Sequence, residues 1–347
     1  MRNLPNRPVT LREVARLAGV SVATVSAVVN HKGSVGAESK RRVEDAMSRL
    51  NYCPDTLARS LKTGRSYAIG LVVPDVTNPF FMNAMSGLET IARSRGYSVV
   101  LTNSNEDAEQ ELQNLKFLHS RRVDGIVIDC TPRSRAYEYL MTQSCPFVFM
   151  DRLPSAEFSG RAVIVDNFGA AYTATKHLIG LGHAKIAIIV GRPDLLVGLD
   201  RLAGFRAAMQ EAGLPVGDSY IQIGSLRPES GYECGMKLIT SPEPPTAIFA
   251  SNHAMTLGLM RALTERQVPC PERMSVLAFD DFPWAAYSRP QLTTVAQPVF
   301  KLGMQAMRML LAAIEPNSKE AEEITDTRLI LKTELLVRQS TAAPPAC

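Results

Sequence analysis

The sequence predicts a small, basic, all-α helix-turn-helix head joined to a larger α/β body of two doubly wound parallel-sheet lobes. Three observations carry that expectation. The 347 residues suffice for about two domains of ordinary size, at ~150 residues each. Charge is unevenly placed: residues 1–66 hold twelve Lys and Arg against five Asp and Glu, a net +7, while the remainder holds 26 against 29, a net −3. From Tyr67 onward, short apolar runs alternate with helical stretches, and the rhythm begins again after Asp166. A hydrophobic content of 46% supports buried cores and argues against global disorder. A basic unit on a mildly acidic body points to a polyanionic partner for the basic end.

The head reads as three short helices. TLREVARLAG opens with a capping box, Thr10 to Glu13, in which each side chain satisfies a free backbone N–H at the helix start. Leu11, Val14, Ala15 and Leu17/Ala18 form its apolar stripe, and Gly19 can end it in a left-handed turn. Ser21 is then a ready N-cap for a second helix, VSVATVSAVVN, after a very short turn. In that helix Val22, Val25, Val28 and Val29 fall three to four apart and can bury one side, leaving Ser21, Ala23, Thr24, Ser26, Ala27 and Asn30 opposite. Such a pair of helices has the geometry in which the second lies in the DNA major groove and reads base edges from its N-terminal residues. Small residues permit close approach, the hydroxyls and Asn30 can bond phosphates or bases, and Val22, Ala23 and Ala27 can touch thymine methyls. Taken alone, the stretch suits a plain buried helix equally well. A third helix, about Glu38 to Leu50, turns Val43, Met47 and Leu50 inward and Lys40, Arg41 and Arg42 outward.

In the body, AIGLVV, YSVVL, GIVID and FVFMD are strand candidates, with helices over Phe80 to Ser94 and Asp107 to Arg121 between them. The second round comprises a helix from Asp166 through His177, then KIAIIV, a helix over Leu202 to Ala212, YIQIG, a helix over Glu229 to Ile239, TAIFAS, a helix over Met255 to Arg266, and MSVLAFDD. Two α/β lobes in sequence imply a cleft with ligand at the strand C-termini. Asp75, Asn78, Phe80, Phe81, Asp151, Arg152, Arg201, Asn252 and Asp280 fall just after such strands or in the second lobe, and Trp284, the only tryptophan, follows Asp280-Asp281. Rings stack on the apolar face of a sugar while Asn, Asp and Arg bond neighbouring hydroxyls, so the set suits a small polar ligand. Each also has a structural alternative: Asp75 and Asp281 as helix caps, Phe80 or Phe81 as core, Asp151 or Arg152 in a surface ion pair.

VTLREVARLAGVSVATVSAVVN, RRVEDAMSRLNYCPDTLARSLKTGRS and IGLVVPDVTNPFF, in this order and spacing, resemble the lactose/galactose-repressor (LacI/GalR) family of bacterial transcription regulators, and the likeness runs nearly the whole chain. The resemblance implies that Val22, Ala23 and Ala27 occupy base-reading positions and that Ser21, Thr24, Ser26 and Asn30, with Thr10, hold the DNA backbone. It implies that PDTLARSLKTG is a hinge helix, too short to be stable alone, with Leu61 as a minor-groove wedge beside Lys62 and Arg59 near phosphate. It further implies a body with the fold of periplasmic sugar-binding proteins, chain crossings near Val165, Thr293 and Glu323, and effector contacts at Phe80, Arg201, Asn252 and Asp280. Many relatives read Asn-Asp where this chain has Asn252-His253; a neutral histidine there would be a polar or pH-sensitive wall, or a surface residue. The expected organisation is a headpiece over residues 1–53, a hinge over 54–66, and a body over 67–340. Within the body, lobe 1 takes about 67–165 and 294–323 and lobe 2 about 166–292 and 324–340, and a flexible tail follows over 341–347.

No GxxxxGK[ST] loop, GxSxG elbow, HExxH or metal-spaced Cys/His set occurs, so no catalytic residue, metal or cofactor is assigned. Asp280 and Asp281 are sequence neighbours that extended backbone would point to opposite faces, poor geometry for an acid/base pair. The six scattered cysteines fit reduced thiols in a cytosolic protein. MRNLPNRPVT holds no apolar signal core and no later run approaches a membrane span, so a cytoplasmic protein is expected. Palindromic operators demand two heads; Pro298 to Ile314 is an amphipathic Met/Leu-rich helix, and the C-terminal VRQSTAAPPAC lacks leucine heptads, so a homodimer is expected. The favoured mechanism is a repressor of a carbohydrate-use operon, released from a pseudo-palindromic operator when a sugar-like effector alters the angle between lobes. The alternatives are a corepressor-dependent regulator, for example a purine-responsive one, a stand-alone sugar-binding protein, and a sugar-processing enzyme.

Overall fold

The computed structural model describes residues 9–29, 35–52, 64–318, 321–322, 324 and 326–345. It divides into two compact units, Met1–Ser66 and Tyr67–Cys347. Asn30 and the hinge residues Arg59, Leu61 and Lys62 lie outside the described residues.

In the first unit, α1 (Leu11–Ala18), α2 (Val22–Val29) and α3 (Ala37–Arg49) share one small core of Val14, Ala15, Ala18, Val25, Val28, Val43 and Ala46. The capping box of α1 is formed, with the Glu13 carboxylate accepting from the Thr10 amide at 2.8 Å. Gly19 closes the helix at φ +62°, a left-handed value that a side chain would strain. Two inward assignments are corrected. Leu17 is 46% exposed because Ala18 takes the inward slot, and Val22 is 41% exposed because the core is filled by Val25 and Val28 one and two turns on.

The second unit holds two six-stranded sheets. The first lobe runs β1 (Ala68–Val73), α4 (Pro79–Ser94), β2 (Ser98–Asn103), α5 (Ala108–Ser120), β3 (Gly125–Ile128), α6 (Ala136–Met141), β4 (Phe147–Met150) and β5 (Ala162–Val165). The second runs α7 (Asn167–Gly180), β6 (Ile186–Val190), α8 (Leu196–Glu211), β7 (Ile221–Ile223), α9 (Pro228–Ile239), β8 (Ala247–Ala250), α10 (His253–Glu265), β9 (Ser275–Phe279), α11 (Pro283–Tyr287) and β10 (Thr293–Ala296). The chain then returns through α12 (Val299–Ile314) and β11 (Arg328–Leu331) to the first lobe and ends with β12 (Glu334–Leu336) in the second. Strand order is β11-β5-β4-β3-β1-β2 in one sheet and β12-β10-β9-β8-β6-β7 in the other, parallel throughout except for β12. Each sheet is covered by an apolar cluster on both faces.

Sheet membership moves two boundaries. Because β10 pairs with β9, the second crossing lies beyond Ala296 and not near Thr293. Because β11 pairs with β5, the third lies between Leu331 and Glu334 and not at Glu323. Helix α8 begins six residues before the expected Leu202; Leu195 at its N-cap offers no capping side chain, so the sequence carried no start signal. The apolar face of α12 is filled within the chain, where Leu302, Ala306, Met307, Leu310 and Leu311 join the first-lobe core, so that face is not free for a dimer partner. The expected flexible tail is tied down at its first two residues. The Ala342 amide donates to Ser275 Oγ at 3.1 Å, its carbonyl accepts from His183 at 2.8 Å, and Thr341 Oγ1 meets Thr293 Oγ1 at 2.9 Å. These bonds satisfy the buried polar groups of Ser275 and His183.

Candidate nucleic-acid interface and ligand cleft

On the head, Ser21 caps α2 as its sequence position requires: its hydroxyl accepts from the Thr24 amide at 3.0 Å and lies 2.8 Å from the Thr24 hydroxyl. Ser21, Val22 and Ala23 are exposed, and Thr24, Ser26 and Ala27 are half-buried. The first turn of α2 thus presents a low, small-residue surface, with Val22 on the reading side and not in the core. Lys40, Arg41 and Arg42 of α3 and Arg12 and Arg16 of α1 are exposed.

In the body, the two topological switch points fall between β1 and β3 and between β6 and β8, where the strand order reverses. Ligands bind open α/β sheets in the crevice outside the strand C-termini at such points. Asp75, Asn78, Asp129, Asp151, Arg192, Ser251, Asn252, Asp280 and Gln297 all directly follow strands. Asp151 and Asp280 adopt left-handed backbone, φ +61° and +79°, conformations that Asp tolerates and that cluster at functional sites.

Arg201 is the hub of the second-lobe side. Projecting from α8 and buried, it donates through Nε to Asn167 Oδ1 at 2.8 Å and through Nη1 to the Ser251 carbonyl at 2.6 Å, while its guanidinium lies 3.6 Å from the Phe279 ring centroid. The negative charges that act on it are first Asp280 and then Asp151. Asp280 accepts from the His253 amide at 3.2 Å and from the Gln297 side-chain amide at 2.5 Å. Asn252 caps α10, accepting from the Ala254 and Met255 amides at 2.9 and 3.2 Å. His253 is buried and not a surface residue; its ring lies 3.8 Å from that of Phe282 and 5.6 Å from that of Trp284. Burial pushes its imidazole below the usual histidine range, with Asp280 opposing, so it stands neutral at physiological pH.

On the first-lobe side, Arg152 is buried and makes a two-point bond to Glu106, 3.0 and 3.1 Å, with Asp129 3.4 Å from its Nε. Its surface-pair alternative is therefore replaced by a buried network. Burial pushes the Asp129 carboxyl well up, Asp151 adding to the effect and Arg152 opposing; burial likewise raises Asp151, against Arg152 and Arg201. Asn78 caps α4, accepting from the Phe80 amide at 3.0 Å. Phe80 and Phe81 are packed edge-to-face within the first-lobe core, with Arg152 5.6 Å from the Phe81 ring. Asp75 holds Thr77 in a local turn and pairs with Arg227 across the cleft at 3.6 Å; Arg133 and Asp194 form a second crossing pair at 3.8 Å. Phe282, from the second lobe, packs on the first-lobe core.

Asp281 neither caps a helix nor faces Asp280's partners: it pairs with Arg338 at 2.6 and 3.1 Å. Asp129, Ser251 and Gln297 went unremarked in the sequence although each directly follows a strand, a signal that would have found them. Glu106 and Asn167 carried none, lying in a turn and at a helix start. Among the described residues, no group of three or more His, Cys, Asp or Glu could hold a metal ion.

A basic head with an exposed small-residue helix, in the same chain as a two-lobed body with a buried polar cleft, defines a DNA-binding regulator with a ligand-sensing domain. Residues 10–55 match the family of bacterial regulatory proteins called the lacI family, and residues 175–341 match the periplasmic binding protein-like domain. The chain is 37% identical over 334 residues to the HTH-type transcriptional repressor PurR of Haemophilus influenzae strain PittEE, covering 95% of this chain and 98% of that one. It is 35% identical over 327 residues to the ribose operon repressor of Escherichia coli K12, covering 93% and 98%. The crystal structure of the lac repressor dimer bound to operator and the anti-inducer ONPF superposes with a TM-score of 0.84 at 28% identity, covering 97% of this chain and all of that one. The chain belongs to the LacI family of transcriptional regulators.

Proposed function

We propose that this protein represses a carbohydrate-use operon as a homodimer, reading a pseudo-palindromic operator through α2 and releasing it when a small sugar-like effector occupies the cleft. What carries the reading is the exposed first turn of α2, where Ser21, Val22 and Ala23 face outward on a head of net +7. Ser21, Thr24, Ser26 and Thr10 hold the DNA backbone, Val22, Ala23 and Ala27 read bases, and Leu61 with Arg59 and Lys62 engages the minor groove. The relative named for the ribose operon supports a sugar-linked role, and the dimeric lac repressor structure supports a homodimer. The chain acts by binding and not by catalysis, in keeping with Asp280 and Asp281 turning to separate partners. Its place of action is the bacterial cytoplasm, on the chromosome; no described helix is long and apolar enough to cross a membrane.

Fluorescence anisotropy on a palindromic probe from upstream of its own gene, against a scrambled probe, tests the DNA reading. Ala23→Glu sets a carboxylate on the exposed turn and is expected to abolish binding to both probes. Leu61→Ala is expected to weaken palindrome binding at least tenfold while leaving the scrambled probe unaffected. Equal affinity of the unaltered protein for both probes would overturn the reading.

A further inference from the structure

We infer that the ligand of the cleft is an uncharged polyhydroxy compound, a free sugar, and that the cleft discriminates against phosphate esters. The inference rests on the reading of the cleft as the effector site. Six buried polar atoms around it have no hydrogen-bond partner: Thr131 Oγ1 and Asp151 Oδ1 from the first lobe, and Ser251 Oγ, His253 Nδ1, Trp284 Nε1 and Gln297 Oε1 from the second. Native proteins leave few such atoms dry, and each follows a strand C-terminus by at most five residues. The set mixes donors, such as the Trp284 N–H, with acceptors, such as Gln297 Oε1. A hydroxyl serves both, so a compound with several hydroxyls can satisfy atoms of both lobes at once. The rings of His253, Phe282 and Trp284 add an apolar wall suited to the C–H face of a sugar ring.

Three features refuse a negative charge. Each guanidinium near the strand ends is already matched by a carboxylate: Arg152 by Glu106, Arg201 by Asp280 and Asp151, Arg192 by Asp194 at 2.9 Å, and Arg227 by Asp75. The helix N-termini that would otherwise cradle an anion are capped, α4 by Asn78 and α10 by Asn252 together with Asp280. An incoming phosphate would therefore lose its hydration against carboxylates, with no unmatched cation in exchange.

Isothermal titration calorimetry of the full chain without DNA tests this with matched probes: D-ribose and D-ribose 5-phosphate, D-glucose and D-glucose 6-phosphate, D-galactose and D-galactose 6-phosphate, and the bases hypoxanthine and guanine. At least one free sugar is expected to bind, with its ester at least tenfold weaker. An ester within tenfold of its sugar, a purine base binding in place of any sugar, or no sugar binding at all would each overturn the inference. Anisotropy on the operator probe separates the two levels of the account. A sugar that binds but leaves operator affinity unchanged upholds the ligand class and defeats the regulatory reading; an ester that binds and releases operator does the reverse.

Discussion

Arg201→Ala is expected to abolish the response to effector and to lower the stability of the body while leaving operator binding without ligand intact. The side chain ties the start of α7, through Asn167, to the end of β8, through the Ser251 carbonyl, and lies flat on Phe279. It also offsets the charges of Asp280 and Asp151. Removing one member of a buried charged network leaves its partners uncompensated, at a cost of about 3–5 kcal/mol. At 1.4 kcal/mol per factor of ten, the same loss in the liganded state weakens effector binding by roughly 100-fold or more. Arg201→Lys keeps the charge but cannot reach the amide and the carbonyl together, so it is expected to recover part of the stability and little of the effector affinity. Differential scanning fluorimetry and calorimetry on both variants check this; a normal effector response in Arg201→Ala would remove the residue from the account.

Gly303→Val is expected to be the most damaging change outside the cleft. A Cβ at position 303 would stand 1.8 Å from the Ala84 carbonyl oxygen, and one at Gly87 would stand 2.0 Å from the Phe300 carbonyl oxygen. Helices α4 and α12 therefore meet backbone to backbone, and neither side can give way as a flexible side chain would. Overpacking typically costs up to about 3 kcal/mol, and here the obstacle is main chain, so the effect should reach at least that size. Because α12 carries the chain back from the second lobe into the first-lobe core, parting it from α4 also loosens that core. Gly180→Ala is the control: nothing lies within 4 Å of its added Cβ, and a change within about 0.5 kcal/mol is expected. Thermal melts of the two variants should differ widely; equal midpoints would contradict the close-packed geometry.

The elements legible in the sequence were those that carry their own signals. The Thr10–Glu13 box, Gly19 and Ser21 fix the ends of α1 and the start of α2 because capping is local chemistry. Apolar runs such as IAIIV mark central strands because a sheet covered on both faces needs no alternation. Strands β10, β11 and β12, of four, four and three residues, were not legible, being shorter than the period a pattern needs. The amphipathic pattern of α12 showed that one face is buried but not against what, since periodicity carries no partner identity. In the cleft, Arg201, Asn252 and Asp280 were legible from resemblance and from following strands. The Arg152–Glu106–Asp129 network was not, since it joins residues from three separate loops that only the fold brings together. Val22 shows the limit of spacing: its position suits either face, and the size of the core decided.

The central claim is that a small molecule in the cleft and the operator on the head oppose each other through one coupling energy. The most direct test is operator anisotropy of the full chain, titrated with and without the sugar that calorimetry identifies, together with the reciprocal sugar titration with and without operator. The account predicts that the sugar weakens operator binding by roughly 5–150-fold and that the operator weakens sugar binding by the same factor. An operator affinity that no cleft ligand changes would contradict it.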